Sequence, residues 1–498
     1  MSIKKATLKG RKQLFTEYLP NHMRPKSSTA PLLDETTIPK ILEEAWNDIS
    51  ITQGEIQYLL DYYRGDQDIL GRDKKVRPDV DNRVVFNHAL AITRDIVGYT
   101  FGKPIRYVHR SNKARSAVAE LNKMVEAEDK YSSDQELATY ASICGTSYRG
   151  VFPDAYGLED DVPFTLTTLD PRNTFVIYSS EIGHPPVMAG VFYSIPSREL
   201  SGERFVYLIY THDYIYRYEN DGALVGVIEP SDLIDSQINI LGEIPIVEYP
   251  NNVFRLGDWE IAKELLDAIN VVGSDSVNDL QQFVNSLLVA VNVELDDTHK
   301  KDIQENKIVS IVSSKELPAE LKYISEQLDA GSAQELRDWL LEQMRLIVGI
   351  PSRDARSGGG GDTGDAVYLR DGFQQLEIVA RTKETFFKRA ERATLRLLVN
   401  LAQKEGELKK LAVKDIDIRF SRNMTDGILS KANAISILHS TNVLDPTDVL
   451  SLVGVTTEPD ELVKRGESYW KDKPKEDDVK VKEITPNDPQ LLRKTDRE

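Results

Sequence analysis

The sequence predicts an α+β protein, because a region with the two-residue period of strands lies between long segments with the period of helices. From Tyr148 to Pro250, short β-branched and aromatic runs such as "RFVYLIYTHDYIYRY" are separated by turn signals, among them Asp170-Pro171. On both sides of this region, apolar residues recur every three or four positions. With 498 residues, 40% of them hydrophobic, the chain is long enough for about three domains.

Bulk composition excludes several classes of protein. The single cysteine, Cys144, permits neither an intrachain disulfide nor a cysteine-based zinc cluster, and its apolar neighbours predict a core position. The formal charge of −18 argues against a protein that coats nucleic acid, because such proteins gain affinity when Lys and Arg replace phosphate counterions. The longest weakly polar run, "FVNSLLVAVNV", is shorter than the ~20 residues of a membrane span, so no membrane partner is expected. The basic start "MSIKKATLKGRK" lacks the apolar core of a secretory signal and predicts a solvated arm.

Before the strands, "TIPKILEEAWNDIS" and "RVVFNHALAITRDIVGYTFG" predict helices. Within the strand region, the tyrosine stripe predicts sheet packing rather than a ligand site. His212 beside Asp213 predicts a turn, because adjacent strand residues point to opposite faces and do not converge on a ligand.

A long helix is predicted over Asp258–Ala290, about 33 residues and about 50 Å in length. Its charges are lopsided, with six carboxylates and one lysine, Lys263. Two interpretations stay open: a solvated face, or an acidic wall that faces a polyanion. The carboxylates are Asp258, Glu260, Glu264, Asp267, Asp275 and Asp279.

Residues 291–328 form a compact insertion with strand signals of its own, "NKIVSIVSS". A second helix follows, and Ser332 and Glu335 have the spacing of a capping box at its start. A third long helix, Ala366–Glu405, contains no proline and would reach about 60 Å. The run "DIDIRFSRNM" predicts a return strand, a small helical region follows from Asp426, and the charged tail beyond residue 470 predicts disorder.

Four consecutive glycines, Gly358–Gly361, raise the possibility of a phosphate loop. Aligned on the Walker A pattern, the stretch "GGGDTGDA" places Asp365 where the phosphate-binding lysine belongs, and it follows a helix rather than a strand. Nucleotide binding is therefore not expected here. A loop that moves between two fixed helices explains the glycines better.

Other enzymatic readings are weaker. "GTSYRG" has one residue too many for the nucleophile elbow of a serine hydrolase, and the seven histidines form no H-E-x-x-H pair. The doublets Asp160-Asp161 and Asp296-Asp297 leave a two-metal nuclease as an alternative, although single doublets are common among 80 acidic residues. No cofactor and no metal site is predicted.

Five stretches in the same order resemble the portal proteins, or head-to-tail connectors, of long-tailed bacteriophages. They are "YYRGDQDIL" with "NRVVFNHALAITRDIVGYTFGKPIRY", then "DPRNTFVIYSS", then "GEIPIVEYPNN" with "GDWEIAKELLDAINVVGSDSVND", then "GIPSRD" with "GDTGDAVYLR", and finally "IDIRFSRNM". The resemblance runs from about Gln53 to Tyr469. It implies the phage portal fold, with long stem and wing helices, an antiparallel β-rich wing, a small α/β clip and a helical crown.

The resemblance also implies a division of the chain. The expected parts are an N-terminal arm (1–40), a wing (41–257), stem helix 1 (258–290), a clip (291–328), stem helix 2 (329–349), a tunnel loop (350–365), a long wing helix with the return strand (366–425), a crown (426–470) and a disordered tail (471–498).

Three groups of candidate site residues follow from this division. Stem residues expected to line a DNA channel are Asp267, Asp275 and Asp279. Tunnel-loop residues expected to face DNA are Arg353, Asp354, Arg356, Gly358, Gly359, Gly360, Gly361, Asp362, Thr363 and Asp365. Clip residues expected to contact the motor or connector are Asp296, Asp297, Lys300, Lys301 and Lys307.

The resemblance implies a non-enzymatic ring of twelve subunits, with thirteen as the alternative, at one vertex of the capsid. Double-stranded DNA would pass through its channel during genome packaging and ejection. The implied partners are the terminase large subunit, a head-tail connector or adaptor protein, and the major capsid and scaffolding proteins. Assembly would take place in the cytoplasm of the host bacterium. The alternatives are the metal-dependent phage nuclease, or another minor capsid or scaffold protein.

Overall fold

The computed structural model describes most of the chain and divides it into two units, Met1–Asn423 and Met424–Glu498. The described residues are 10–16, 33–74, 80–110, 114–154, 162–196, 203–220, 228–284, 287–291, 320–324, 330–351, 373–422, 432, 435–439, 446, 449–450 and 459–471.

Helices and strands alternate in blocks, which confirms the α+β fold class. The helices are α1 Thr37–Arg64, α2 His88–Phe101, α3 Arg115–Ala127, α4 Lys130–Cys144, α5 Lys263–Val284, α6 Ala330–Val348, α7 Phe373–Lys404 and, in the second unit, α8 Pro459–Lys471. The strands are β1 Leu14–Thr16, β2 Arg106–His109, β3 Thr146–Pro153, β4 Phe164–Leu169, β5 Thr174–Ser179, β6 Pro186–Pro196, β7 Glu203–Tyr210, β8 Tyr214–Asn220, β9 Leu233–Ile238, β10 Ile246–Pro250, β11 Leu287–Val291, β12 Glu320–Ile324 and β13 Ile416–Arg419.

A six-stranded sheet in the order β1-β5-β6-β7-β8-β9 forms one half of the β region. Its strands are antiparallel except for β1, which pairs parallel with β5. One face of the sheet packs on α1 through a core that includes Ile41, Tyr207 and Tyr218. The predicted antiparallel region and the packing role of its tyrosines are therefore confirmed, and His212 lies in the turn between β7 and β8.

A smaller sheet, β10-β3-β4, packs against α7, and β13 pairs with β2 at the edge of the same core. The return strand predicted in "DIDIRFSRNM" is thus present as β13. Cys144 ends α4 in a fully buried position, which confirms its core placement, and burial raises the pKa of its thiol. Gly145 then turns the chain into β3 with φ of 76°, where a Cβ atom would lie 2.0 Å from the carbonyl oxygen of Arg255.

Four buried charges join α4, β3 and α7. The Nζ atom of Lys130 lies 2.6 Å from Asp134 and 2.9 Å from Glu391, while Arg149 lies 2.6 Å from Asp134 and 3.4 Å from Glu391. The side chains of all four are at most 4% exposed. The hydroxyl of Tyr249 donates to Glu391 over 2.6 Å. Two positive and two negative charges thus balance, and further hydrogen bonds satisfy the carboxylate, as a buried ion network requires.

Three sequence-based expectations differ from the structure. The first long helix ends at Val284 rather than Ala290, because the β-branched run Leu287–Val291 pairs with β12 as a strand. The second begins at Ala330, so Ser332 lies inside the helix and not at its cap. The solvated arm is wrong for residues 10–16, since Arg11 is buried against Glu260 at 2.6 Å and β1 joins the large sheet.

The four-charge network predicts a large loss of stability in Glu391→Gln. The substitution leaves two buried cations with one carboxylate, and breaking such a buried pair costs about 3–5 kcal/mol in free energy of unfolding. Urea denaturation followed by circular dichroism measures this change. The control Glu120→Gln breaks an exposed pair with Lys123 and should change stability by less than about 1 kcal/mol.

The difference between wild type and Glu391→Gln should also depend on pH. Burial opposes ionisation of Glu391, but Lys130, Arg149 and the two tyrosine hydroxyls outweigh it and lower the pKa of this carboxyl to about 2. Because the folded-state pKa lies below the unfolded value, the stabilisation is complete above pH ~4.5 and is lost as the pH falls towards 2. Equal differences at pH 7 and pH 3 would contradict the assigned role.

Candidate channel-lining surface

Helix α5 is fixed to the rest of the chain by a ladder of polar side chains spaced four residues apart. They accept hydrogen bonds from the backbone N–H groups of alternate residues in the segment 82–86. The pairs are Asn270 with Phe86 (2.8 Å), Ser274 with Val84 (2.9 Å) and Asn278 with Asn82 (2.6 Å). Four helical residues rise about 6 Å and two extended residues span about 6.6 Å, so the two repeats stay in register.

The ladder side of α5 is closely packed. Asn270, Ser274 and Asn278 are at most 1% exposed, and a Cβ atom on Gly273 would lie 2.2 Å from the ring of Phe86. This face therefore cannot line a channel. Sequence analysis missed the ladder, although small polar residues at every fourth position of an otherwise apolar and acidic helix were a visible signal for it.

The lopsided charge of the predicted first long helix is largely compensated by partners elsewhere in the chain. Asp258 lies 2.6 Å from Lys383, and Glu260 pairs with Arg11 as described above. Asp275 receives two hydrogen bonds from Arg72, at 2.7 and 3.3 Å. The uniformly acidic wall that the sequence suggested is therefore reduced to fewer unpaired carboxylates.

Asp267 is held in a small network between α5 and α1. It accepts hydrogen bonds from the hydroxyl of Tyr62 at 2.9 Å and from Lys263 at 2.6 Å. The ammonium of Lys263 also lies 3.1 Å from Asp68 and over the ring of Tyr58. Burial lowers the pKa of Lys263, but hydrogen bonds to Asp267 and Tyr58 outweigh it, so the net shift is upward. Asp267 thus connects two helices.

Of the three stem residues predicted to line a channel, Asp267 and Asp275 have their charges paired within the chain. Asp279 is half-buried and has no ion-pair partner among the described residues. The position of all three in a channel wall stays a prediction. The tunnel-loop residues 353–365 and the clip residues 296–307 lie outside the described residues, as do Asp160 and Asp161.

Helix α6 presents three different faces along its length. Leu340, Met344 and Val348 are buried and pack with α5 and α2. A second face is apolar and open, with Leu336 47%, Trp339 57%, Leu346 68% and Ile347 49% exposed. At about 100° per residue, these four side chains fall within about 100° of arc, so they form one stripe.

Next to the apolar stripe, α6 carries an acidic one. Glu335, Asp338 and Glu342 are all exposed and occur at helical spacing of three and four residues. Gln334 donates to Asp338 at 3.0 Å, and the nearest described cation, Arg337, is 3.9 Å away. These carboxylates were not among the predicted site residues, although their spacing is visible in "ELRDWLLE".

A family model described as "Phage portal protein, SPP1 Gp6-like" matches residues 46–476. The chain belongs to this family. The portal chain is also 22% identical over 410 residues to the portal protein of Clostridium phage phiCD119, a match that covers 76% of this chain and 85% of that protein. The suspected resemblance and the portal function are thus confirmed.

Two solved structures are similar to the portal chain at low scores. The neck of an empty GTA particle, computed with C6 symmetry, has a TM-score of 0.42 and 12% identity, and the match covers 74% of this chain and 90% of that one. The neck of a native GTA particle, computed with C12 symmetry, has a TM-score of 0.39 and 13% identity, with 74% and 89% covered.

Searches for other kinds of site gave negative results within the described part of the portal chain. No group of three or more His, Cys, Asp or Glu side chains there could hold a metal ion. None of the helices described is both long enough and apolar enough to cross a membrane.

The polar ladder predicts that Asn270→Leu destabilises the protein by about 1–3 kcal/mol, because the backbone N–H of Phe86 loses its acceptor while buried. Urea denaturation measures the loss. Ser276→Ala is the matched control, since Ser276 is exposed on the same helix and bonds only to its own helix, at the carbonyl of Val272. A loss in the control as large as in Asn270→Leu would contradict the ladder.

Proposed function

We propose that this chain assembles into a closed ring at one vertex of a phage capsid and forms the channel for double-stranded DNA. Membership of the portal family supports this proposal. The observation that carries it is the open apolar stripe on α6, Leu336, Trp339, Leu346 and Ile347. Near the end of α5, Leu280 adds a further side chain that is 69% exposed. An apolar surface of this kind in one subunit marks a contact with another.

A ring satisfies the apolar stripe better than a two-fold dimer does. In a ring each subunit uses two different surfaces, so the stripe of one copy meets another surface of the next, and the contacts close after a fixed number of copies. We propose twelve subunits, with thirteen as the alternative.

The acidic stripe on α6 is the proposed channel surface, together with Asp279 and the exposed Glu264 on α5. If the neighbour covers the apolar stripe, the adjacent carboxylates stay open to solvent. Carboxylates repel DNA phosphates and offer no counterion release, so the duplex can slide without being held. This role suits a chain with a formal charge of −18.

The remaining roles follow from the family. Residues 291–328 would contact the terminase large subunit and the head-tail connector, through Asp296, Asp297, Lys300, Lys301 and Lys307. Major capsid and scaffolding proteins would contact the outer parts. The ring would be assembled in the host cytoplasm, and the terminase rather than this chain would hydrolyse ATP. A nuclease has no comparable support, because no family match or described metal cluster favours it.

Trp339→Glu should prevent ring assembly. The substitution places a charge in the proposed contact and removes its largest apolar side chain, which costs on the order of 2 kcal/mol at every interface, more than tenfold in association. Mass photometry and negative-stain images should show a ring of about twelve times the 56.2 kDa chain mass for wild type and mainly monomer for the variant.

Trp339→Phe is the matched control, because it keeps an aromatic side chain in the stripe and should keep the ring. A wild-type protein that stays monomeric at every concentration would refute the proposed function. A ring that tolerates Trp339→Glu would instead move the contact to another surface.

The tunnel-loop proposal concerns residues 350–365. Arg353 and Arg356 would touch DNA phosphates, while Asp354, Asp362 and Asp365 limit the attraction, and the glycines with Thr363 allow the loop to change shape. Replacing Gly358–Gly361 with alanine should leave ring mass unchanged and slow DNA packaging in an assay with the terminase. Packaging at the wild-type rate would contradict a mobile loop.

A further inference from the structure

A groove with a cavity volume of about 910 Å³ lies between α7 and one end of the six-stranded sheet. Its floor is apolar and includes Val176, Ile244 and Ile246, each at most 5% exposed. One wall is the surface of α7, which contributes Arg389 and Arg396. The groove combines an apolar floor with a basic wall.

The two arginines of the groove are exposed and have no ion-pair partner within the described residues. Seven positions apart on α7, they share a face and lie about 10.5 Å from each other along the helix. Arg255, which also lines the groove, differs because it is paired with Glu248 at 2.6 Å. Glu243 is an acidic group on the opposite wall, which leaves the unpaired charge of the groove positive. In a chain with 80 acidic and 62 basic residues, two adjacent unpaired arginines indicate an acidic partner.

A second open surface of the same unit has the opposite chemistry. Strand β9 is the edge of the six-stranded sheet, and it exposes Ile234 by 61% and Ile238 by 72%. Asp232 and Asp235 are exposed beside them, and the segment 229–240 contains no Lys or Arg. Edge strands of soluble proteins are usually protected by a lysine, a proline or a cover, so an unprotected apolar edge indicates a contact with another chain.

The two surfaces match in spacing as well as in charge. Asp232 and Asp235 are three residues apart, about 10 Å in extended chain, which is close to the separation of the two arginines. Ile234 and Ile238 lie on the same side of the strand and provide apolar side chains for the floor of the groove.

We propose that β9 of one subunit docks into the α7 groove of its neighbour, an inference that rests on the proposed ring. The two surfaces are different parts of the same chain, so the contact runs from head to tail and repeats around the ring rather than closing as a dimer. The carboxylates of Asp232 and Asp235 pair with Arg396 and Arg389, and the isoleucines cover the groove floor.

Reversal of charge tests the docking contact. Arg396→Glu and Asp235→Lys should each weaken ring assembly at least tenfold, and the double variant should recover most of the loss, because the pair is restored with opposite signs. Mass photometry measures the assembled fraction against concentration, and circular dichroism confirms that each variant is folded. Arg392→Glu is the matched control, since Arg392 is exposed on the same helix but does not line the groove, and it should assemble as wild type.

Three outcomes would overturn the inference. Normal assembly of Arg396→Glu, in a wild-type protein that forms rings, removes the groove from the interface and leaves the proposed function standing. Loss of assembly in Arg396→Glu without recovery in the double variant excludes β9 as the occupant. Equal loss in Arg392→Glu shows a general effect of charge on α7. Absence of rings in wild type would refute the proposed function instead.

Discussion

The balanced network of Lys130, Asp134, Arg149 and Glu391 is the interaction on which the larger unit depends. It lies where α4, β3 and α7 meet, and these elements come from three distant parts of the sequence. Each charge is too deeply buried to be solvated, so each requires its two opposite partners. The long helix α7 is thereby held against the small sheet, and its outer surface, including the groove arginines, is presented in a defined direction.

A comparable constraint sets the orientation of α5. The polar ladder to residues 82–86 and the Asp267 network with Tyr62 and Lys263 fix two parts of its surface. Since α6 packs on α5, its own buried face is fixed as well, and the apolar and acidic stripes of α6 are left outside. The division of α6 into a contact stripe and a charged stripe is therefore a consequence of how α5 is anchored.

The open surfaces of the larger unit come in complementary kinds. An apolar stripe on α6, a basic groove beside α7 and an acidic apolar edge at β9 are all unsatisfied in a single copy. Surfaces that differ from one another are satisfied by rotation about an axis, with each copy supplying what the next one lacks. This arrangement is consistent with a family whose members are portal proteins.

Sequence periodicity by itself determined the α+β class, the antiparallel region from β3 to β10, the long helices and the return strand β13. It could do so because local spacing of apolar residues reports which face of an element is buried. The family was also visible in the order of five short stretches. The end of α5 was misjudged, because a β-branched apolar run reads equally well as buried helix or strand, and the pairing of β11 with the distant β12 decides between them.

Only the tertiary structure decided which charges are free. In sequence, Asp258, Glu260, Asp267 and Asp275 looked like one acidic wall, yet each finds a cation, and three of those cations come from remote segments. Conversely, the acidic stripe of α6 and the arginines of α7 carry no special pattern in sequence. Ion pairing depends on distances between side chains, which local sequence does not report, whereas periodic burial is written in the order of the residues themselves.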